Sequence, residues 1–269
     1  MPRFSANLSM LFTEHEFLDR FDAAARAGFE AVEYVGPYDH PPEVVAERLK
    51  RNGLTQALFN LPPGDWGRGE RGIAVLPDRV EEFRSSVDTA IAYARALGCE
   101  RVNCLAGIAP VGVERAVLED VFVENLKYAA PKLKEAGVKL LVEAINTIDI
   151  PGFFLTGAAQ AMAILDRVGS DNLYFQYDIY HMQIMEGDLA RTIEKNLDRI
   201  AHIQIADNPG RHEPGTGEIN YPFLYDFLDR IGYAGWVGAE YKPKEGTEVG
   251  LGWFSAFARQ AARTASAGR

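Results

Sequence analysis

At 269 residues, 47% of them hydrophobic and 25% charged, the chain has an ordinary globular composition and room for a core that needs neither disulfides nor a structural metal. A net charge of −10 argues against nucleic acid, whose phosphates call for a basic surface, and obliges an anionic substrate to find a local cationic pocket. No apolar run approaches the roughly 20 residues of a membrane helix, and Met1-Pro2-Arg3-Phe4 opens no signal-peptide core, so the chain reads as cytoplasmic.

Phe4 to Leu8 predicts a first strand, ending at Asn7. Thr13-Glu14-His15-Glu16 has the form of a capping box, predicting a helix that runs to Gly28. Ala31 to Val35 is a second strand, and Pro41-Pro42 starts a helix that stops near Asn52-Gly53. Thr55 to Leu61 is a third. The breaker-rich stretch Pro62 to Gly72 then reads either as a mobile loop over the sheet's carboxyl face, with Trp66 as a lid, or as a packed surface loop.

A long helix is expected over 78–97 and a fourth strand over 101–107. Cys99 and Cys104 flank that helix-to-strand turn with no histidine nearby, which predicts inert, reduced thiols. A helix over 113–136, a strand over 139–145 and a helix over 158–168 follow. Three more strands carry Asp178, Gln204 and Glu240, with helices near 189–197 and 221–231 and a last one starting near Leu251. Eight strand-helix alternations with no linker predict one α/β domain over 1–269, a single (β/α)8 TIM barrel, with about 264–269 as a tail.

Glu143, Asp178, Gln204 and Glu240 each stand near the carboxyl end of a strand-like run, 35, 26 and 36 residues apart. One β/α unit of a barrel takes roughly 30 residues, so the four sit one unit apart on the rim where barrel chemistry is done. Strand parity puts Glu143 on a face with Leu141 and Ile145, Gln204 with His202, and Glu240 with Gly238 and Lys242. His181 lies just beyond its strand and can return over the rim.

Three carboxylates and an amide oxygen in one cavity repel each other unless a cation joins them, and an all-oxygen set selects a hard divalent metal, Mg²⁺ or Mn²⁺, over zinc. A carboxylate beside a polarised carbonyl suits proton abstraction from the neighbouring carbon, and glutamates on strands five and eight can serve both carbons of a 1,2-shift. Arg211, His212, Lys242, His181 and Arg71 are the candidate cations for an anionic substrate, Lys242 being the most specific because it shares Glu240's parity.

Asn7 to Phe12, Asn60 to Trp66, Gly69 to Gly72, Asp149 to Phe153, Tyr177 to Met182, Gln204 to Pro209, Glu213 to Tyr221 and Glu240 to Pro243 together resemble the hydroxypyruvate isomerases, of the xylose-isomerase-like barrel superfamily. The resemblance runs from near residue 3 to about 254. It implies interconversion of hydroxypyruvate and tartronate semialdehyde in glyoxylate metabolism, with Glu143 and Glu240 as the acid/base pair. By wider analogy it implies that Glu143, Asp178, Gln204 and Glu240 hold a divalent metal. The sequence departs from the pattern at Gln204, where many relatives have histidine, and at Ala144, where close relatives are expected to have proline.

The nearest rival is an isomerase of the four-carbon 2-oxo-tetronate on the same scaffold. Rivals of other classes are a metal-dependent phosphodiesterase or endonuclease built on the same barrel, and a sugar-acid binding protein. The first would want more histidines and a basic face; the second would dispense with one of the two glutamates. The expected partner is a small anionic hydroxy-oxo acid, with no nucleic acid and no membrane; a homo-oligomer is compatible with this reading.

Overall fold

Eight short, largely buried runs form strands, and every crossover between them is too long for a hairpin, so the strands run parallel. The structure, a computed structural model, describes residues 2–255, and the tail expected over about 264–269 lies outside them. The strands are β1 (Arg3–Asn7), β2 (Ala31–Tyr34), β3 (Thr55–Asn60), β4 (Arg101–Cys104), β5 (Lys139–Glu143), β6 (Leu173–Asp178), β7 (Ile200–Ile205) and β8 (Trp236–Ala239). The helices are α1 (Phe17–Arg26), α2 (Pro42–Asn52), α3 (Val80–Leu97), α4 (Arg115–Glu135), α5 (Ala158–Val168), α6 (Ile179–Met185), α7 (Leu189–Lys195), α8 (Tyr221–Arg230) and the short α9 (Thr247–Gly250). Each strand pairs with the next in sequence and β8 returns to β1, closing the (β/α)8 barrel that the spacing predicts.

The period of two along each strand sorts the side chains into two environments. Val32, Val102, Leu140, Val142 and Val237 belong to the main core, packed with buried helix residues such as Phe21, Val87, Leu126 and Ile164. On the other parity, Leu141 packs with Leu58, Ala201 and Tyr174 toward the amino ends of the strands. Above this layer the barrel interior is polar: Ser5, Asn7, Glu33, Asn103, Glu143, Gln176, His202 and Gln204 are all buried. Register carries that layer from strand to strand, since Glu143 lies opposite Gln176, Asp178 opposite Gln204, and Gln204 opposite Gly238.

Two local expectations are corrected. The helix expected from the Thr13–Glu16 box starts only at Phe17, with no side-chain cap. Glu14 instead accepts hydrogen bonds from the backbone N–H and hydroxyl of Thr247, at 2.7 and 3.1 Å, so a tertiary tie to α9 outcompetes the local cap. The fourth strand ends at Cys104 rather than Gly107, where the chain bends at a positive φ of 110°. Of the two readings offered for 62–72, the contacts agree with the packed loop. Its neck is closed by Gly72 N–H on the Pro63 carbonyl at 2.8 Å, Glu70 is tied to Arg79 at 2.6 Å, and Trp66–Arg68 makes a 3-10 turn capped by Asp65. Gly72 is required there: φ is +108° and a Cβ would overlap the Leu105 carbonyl.

The two cysteines are free and buried, and burial pushes the Cys99 thiol up to about 12, in keeping with inert thiols. Among the described residues no helix is long and apolar enough to cross a membrane.

Candidate active site

The carboxyl ends of the strands surround a cavity of about 350 Å³. Glu143, Gln204, Glu240, His181, Arg211, Lys242, Arg71 and Trp66 all line it, so residues proposed separately from sequence meet in one place. Asp178 sits just behind that wall, its Oδ2 3.5 Å from His181 Nε2 and 3.9 Å from Arg211 Nη2. His212 does not take part: its Nδ1 is engaged with the Lys242 carbonyl at 2.8 Å.

Arg211 is the cation that joins the acids. Its guanidinium lies 2.7 Å from Glu240 Oε1 and 3.7 Å from Asp149 Oδ2, and stacks over the Tyr180 ring at 5.3 Å. Burial works against its charge, but Glu240, Asp178 and Glu143 outweigh burial and raise its pKa. Lys242 and Arg71 differ, for neither forms an ion pair among the described residues. Lys242 is exposed at the rim, while Arg71 lies over the Trp66 ring at 3.8 Å and donates only to the Trp66 and Glu70 carbonyls. They are the uncommitted positive charges of the cavity.

One guanidinium does not neutralise three carboxylates. Burial, with the charges of Glu240 and Asp178, pushes Glu143 well above the carboxylate range. Burial raises Glu240 to about 8 against the pull of Arg211, and Asp178 to about 6 against Arg211 and the two backbone N–H groups it caps at the start of α6. Burial and the neighbouring Arg211 drive His181 well below its usual value, so its ring is neutral.

Which nitrogen of His181 carries the proton follows from Asn146. The Asn146 side-chain oxygen accepts from the backbone of Ile148 and Asp149, at 3.0 and 2.8 Å, which turns its NH₂ group onto His181 Nδ1 at 2.7 Å. Nδ1 is therefore the acceptor and Nε2 bears the hydrogen, directed between Asp178 Oδ2 and, 4.0 Å away, Glu143 Oε1.

Donor atoms of Glu143, Asp178 and His181 lie within 4.8 Å of one another, a buried group that can hold a metal ion. Asp178 Oδ2 is buried without a hydrogen-bond partner, which is what a vacant lone pair for a cation requires. The donor set fits a hard ion through its carboxylate oxygens, whereas the Nε2–H of His181 is better suited to donating to a substrate oxygen. Gln204, predicted from sequence to offer its oxygen, instead turns its NH₂ toward Glu240 Oε2 and toward Glu33 Oε1 at 2.8 Å, and its oxygen accepts from Gln176 at 2.6 Å.

Residues 21–257 match the xylose isomerase-like TIM barrel family. The chain belongs to that family. It is 54% identical to the hydroxypyruvate isomerase of Escherichia coli strain K12, over 96% of this chain and 100% of that protein. It is 49% identical to the 2-oxo-tetronate isomerase of Cupriavidus necator, over 96% of this chain and 99% of that one. A crystal structure from Brucella melitensis, described as an AP endonuclease of family 2, superposes with a TM-score of 0.93 at 49% identity, covering 96% of this chain and 99% of that one.

In this xylose isomerase-like site Glu33, Asn7, Asn103, Asn146 and Gln176 also take part, although spacing and strand-end position do not single them out. The signal for Glu33 was present, since it is an acid inside the apolar run Ala31-Val32-Glu33-Tyr34-Val35, and it is fully buried. Asn103 is held between the Asn60 oxygen at 3.2 Å and Glu143 Oε2 at 3.0 Å, so it fixes the Glu143 carboxylate.

The charge balance predicts how stability depends on pH in the ion-free protein. Glu240 and Asp178 have folded pKa values raised above the unfolded ones, so their contribution is complete below about pH 4 and is lost as pH climbs through about 6 and about 8. His181, depressed in the fold, runs the other way, and its contribution is complete above about pH 6.5. The melting temperature should therefore fall between about pH 6.5 and 8, and Glu240→Gln should flatten that slope. A wild-type melting temperature that rises across the window would contradict this electrostatic account.

Proposed function

We propose that this protein is an isomerase that interconverts hydroxypyruvate and tartronate semialdehyde by moving a proton between adjacent carbons. The observation that carries this reading is the pair Glu143, at the end of β5, and Glu240, just after β8, facing one cavity, with the Glu143 carboxyl raised well above its usual value and Glu240 to about 8. A carboxyl poised near the working pH both accepts and returns a proton, as a 1,2-shift demands. The similarity to the E. coli hydroxypyruvate isomerase across nearly the whole chain supports the same reaction.

Hydroxypyruvate loses a proton from C3 and gains one at C2, while its carbonyl passes from C2 to C3 and the hydroxyl proton passes from O3 to O2. One glutamate takes the C3 proton and the other supplies the C2 proton. His181 Nε2–H and the Arg211 guanidinium are placed to steady negative charge on the substrate oxygens as it develops. Glu143 and Asp178 would hold a divalent ion, Mg²⁺ or Mn²⁺, with Glu240 across the cavity; when bound, such an ion polarises the carbonyl. Added Mg²⁺ or Mn²⁺ should raise the melting temperature, more at pH 8 than at pH 5.5, because the carboxylates must be ionised to bind it. Exhaustive chelation should abolish turnover, and full activity in protein shown by metal analysis to be ion-free would remove the ion from the mechanism.

Substrate charge is matched by Lys242 and Arg71, with Trp66 closing that side of the mouth. Lys242→Met should raise KM for hydroxypyruvate and leave the metal-induced rise in melting temperature unchanged. An unchanged KM would move the carboxylate contact to Arg71.

The four-carbon reading rests on the Cupriavidus relative, and one carbon is worth only about 1–3 kcal/mol of discrimination. The phosphodiesterase reading has less support, since among the described residues one candidate metal group, not several, is present. Turnover on hydroxypyruvate, 2-oxo-tetronate and a phosphodiester, with and without chelator, tests all three. A higher kcat/KM on hydroxypyruvate is expected; preference for either other substrate would displace hydroxypyruvate as the natural one.

A further inference from the structure

Glu33 is fully buried under the cavity floor, on β2, and the proton shuttle between Glu143 and Glu240 gives it no part. All four of its acceptor positions are filled. Oε2 accepts from the Ser5 hydroxyl at 2.7 Å and pairs with His202 Nε2 at 2.8 Å. Oε1 accepts from Asn7 Nδ2 at 3.2 Å and Gln204 Nε2 at 2.8 Å. A carboxyl meeting four donors has no place for a proton of its own. Gly238 leaves room for it, because a Cβ there would collide with the Glu33 carboxylate.

The two amides on Oε1 are the informative part. Each NH₂ group has two hydrogens, and each places the second on Glu240 Oε2: Asn7 at 3.1 Å, and Gln204 in a close contact. Both amides are locked in that sense, because the Asn7 oxygen accepts from Ser9 N–H at 3.0 Å and the Gln204 oxygen from Gln176 at 2.6 Å. Two bridges of the same form thus link one oxygen of Glu33 to one oxygen of Glu240. Rotating either amide would set its oxygen against two carboxylates. Glu240 Oε1 is left to Arg211 and the cavity.

We propose that Glu33 is the positioning residue of Glu240, holding Asn7 and Gln204 so that their amide hydrogens fix the carboxylate that moves the proton. The inference rests on the isomerase reading for its kinetic effect, though not for its structural one. It also makes Gln204 a donor to Glu240.

Glu33→Met fills the space but removes the acceptor. Glu33→Gln keeps an oxygen for the two amides, since the Ser5 hydroxyl can turn, and His202 can carry its hydrogen on Nδ1 instead of Nε2, so that both accept from its new NH₂. For Glu33→Met, kcat should fall by about 100-fold, the scale of an ångström's misplacement, with KM for hydroxypyruvate unchanged. Glu33→Gln should recover most of that loss, which a packing role would not require. A crystal structure of Glu33→Met should show Gln204 rotated and the Glu240 carboxylate displaced. Should Glu33→Met fail to fold, Asn7→Ala, which removes one bridge, should lower kcat in the same KM-sparing way. Wild-type kcat in Glu33→Met or Asn7→Ala, or a Met variant with Gln204 and Glu240 unmoved, would overturn the proposal. If the wild type itself turns over no hydroxypyruvate, the reaction is wrong, and the displacement of Glu240 in the crystal still decides the role of Glu33.

Discussion

Replacing Glu143 or Glu240 with glutamine should lower kcat by at least about 10²–10⁴-fold, the range typical of general acid–base catalysis, while the barrel stays folded. Glutamine keeps an oxygen and the side-chain length but cannot move a proton at neutral pH. At 143 the change leaves no unpaired charge, whereas at 240 it takes from the buried Arg211 guanidinium its carboxylate partner at 2.7 Å. At 143, Asn103 retains an oxygen to donate to, and its own side-chain oxygen, now without a partner, can accept from the new NH₂. Removing one of three crowded carboxylates also relieves repulsion, so Glu143→Gln should melt at or above the wild-type temperature in ion-free buffer at pH 8, an exchange of function for stability; Glu240→Gln should gain less, because its new NH₂ must face either the Arg211 guanidinium or the donating amides of Asn7 and Gln204. Exchange of the C3 proton with deuterated solvent separates the roles. The variant lacking the abstracting base loses exchange and turnover together; the other keeps exchange while turnover falls. Near-wild-type exchange and turnover in both would end the mechanism.

Arg211→Met is expected to be the most destabilising substitution in the site. Among the described residues Arg211 is the one guanidinium bonded to Glu240 and within 4 Å of Asp178, and only 12% of its side chain is exposed. Taking one partner from a buried pair typically costs about 3–5 kcal/mol, because the other charge is left uncompensated. The cost should grow with pH. At pH 5 the raised carboxyls of Asp178 and Glu240 take up protons and have less need of Arg211, whereas at pH 8 Asp178 is ionised and Glu240 is titrating. Urea unfolding at both pH values measures this, and kcat should fall as well, since Glu240 loses the contact that aims Oε1. Equal stability of wild type and variant at pH 8 would mean that Arg211 does not balance these acids.

Gln204 illustrates how far the residues alone could be taken. Its place in the site was legible, because a polar residue on an apolar strand one β/α unit from two others belongs on the barrel rim. Its role was not, because an amide offers an oxygen or a nitrogen according to what surrounds it, and what surrounds it includes Glu33, 171 residues away in sequence. The same holds for His181, whose tautomer is set by Asn146 from the loop after β5.

Sequence by itself determined the eight-fold alternation, the barrel, the strand-end positions of Glu143, Asp178, Gln204 and Glu240, and the stock of cations near the mouth. Those follow from periodicity and spacing, which are local properties of the chain. The tertiary structure alone decided that Arg211 is buried between acids while Lys242 and Arg71 stay uncommitted, that Glu14 ties down Thr247 instead of capping a helix, and that a buried glutamate anchors the one proposed to do chemistry. Each of these is a choice between hydrogen-bond or charge partners far apart in sequence. Burial settles the choice, because a polar group taken from water must accept whatever partner the closed barrel brings within reach.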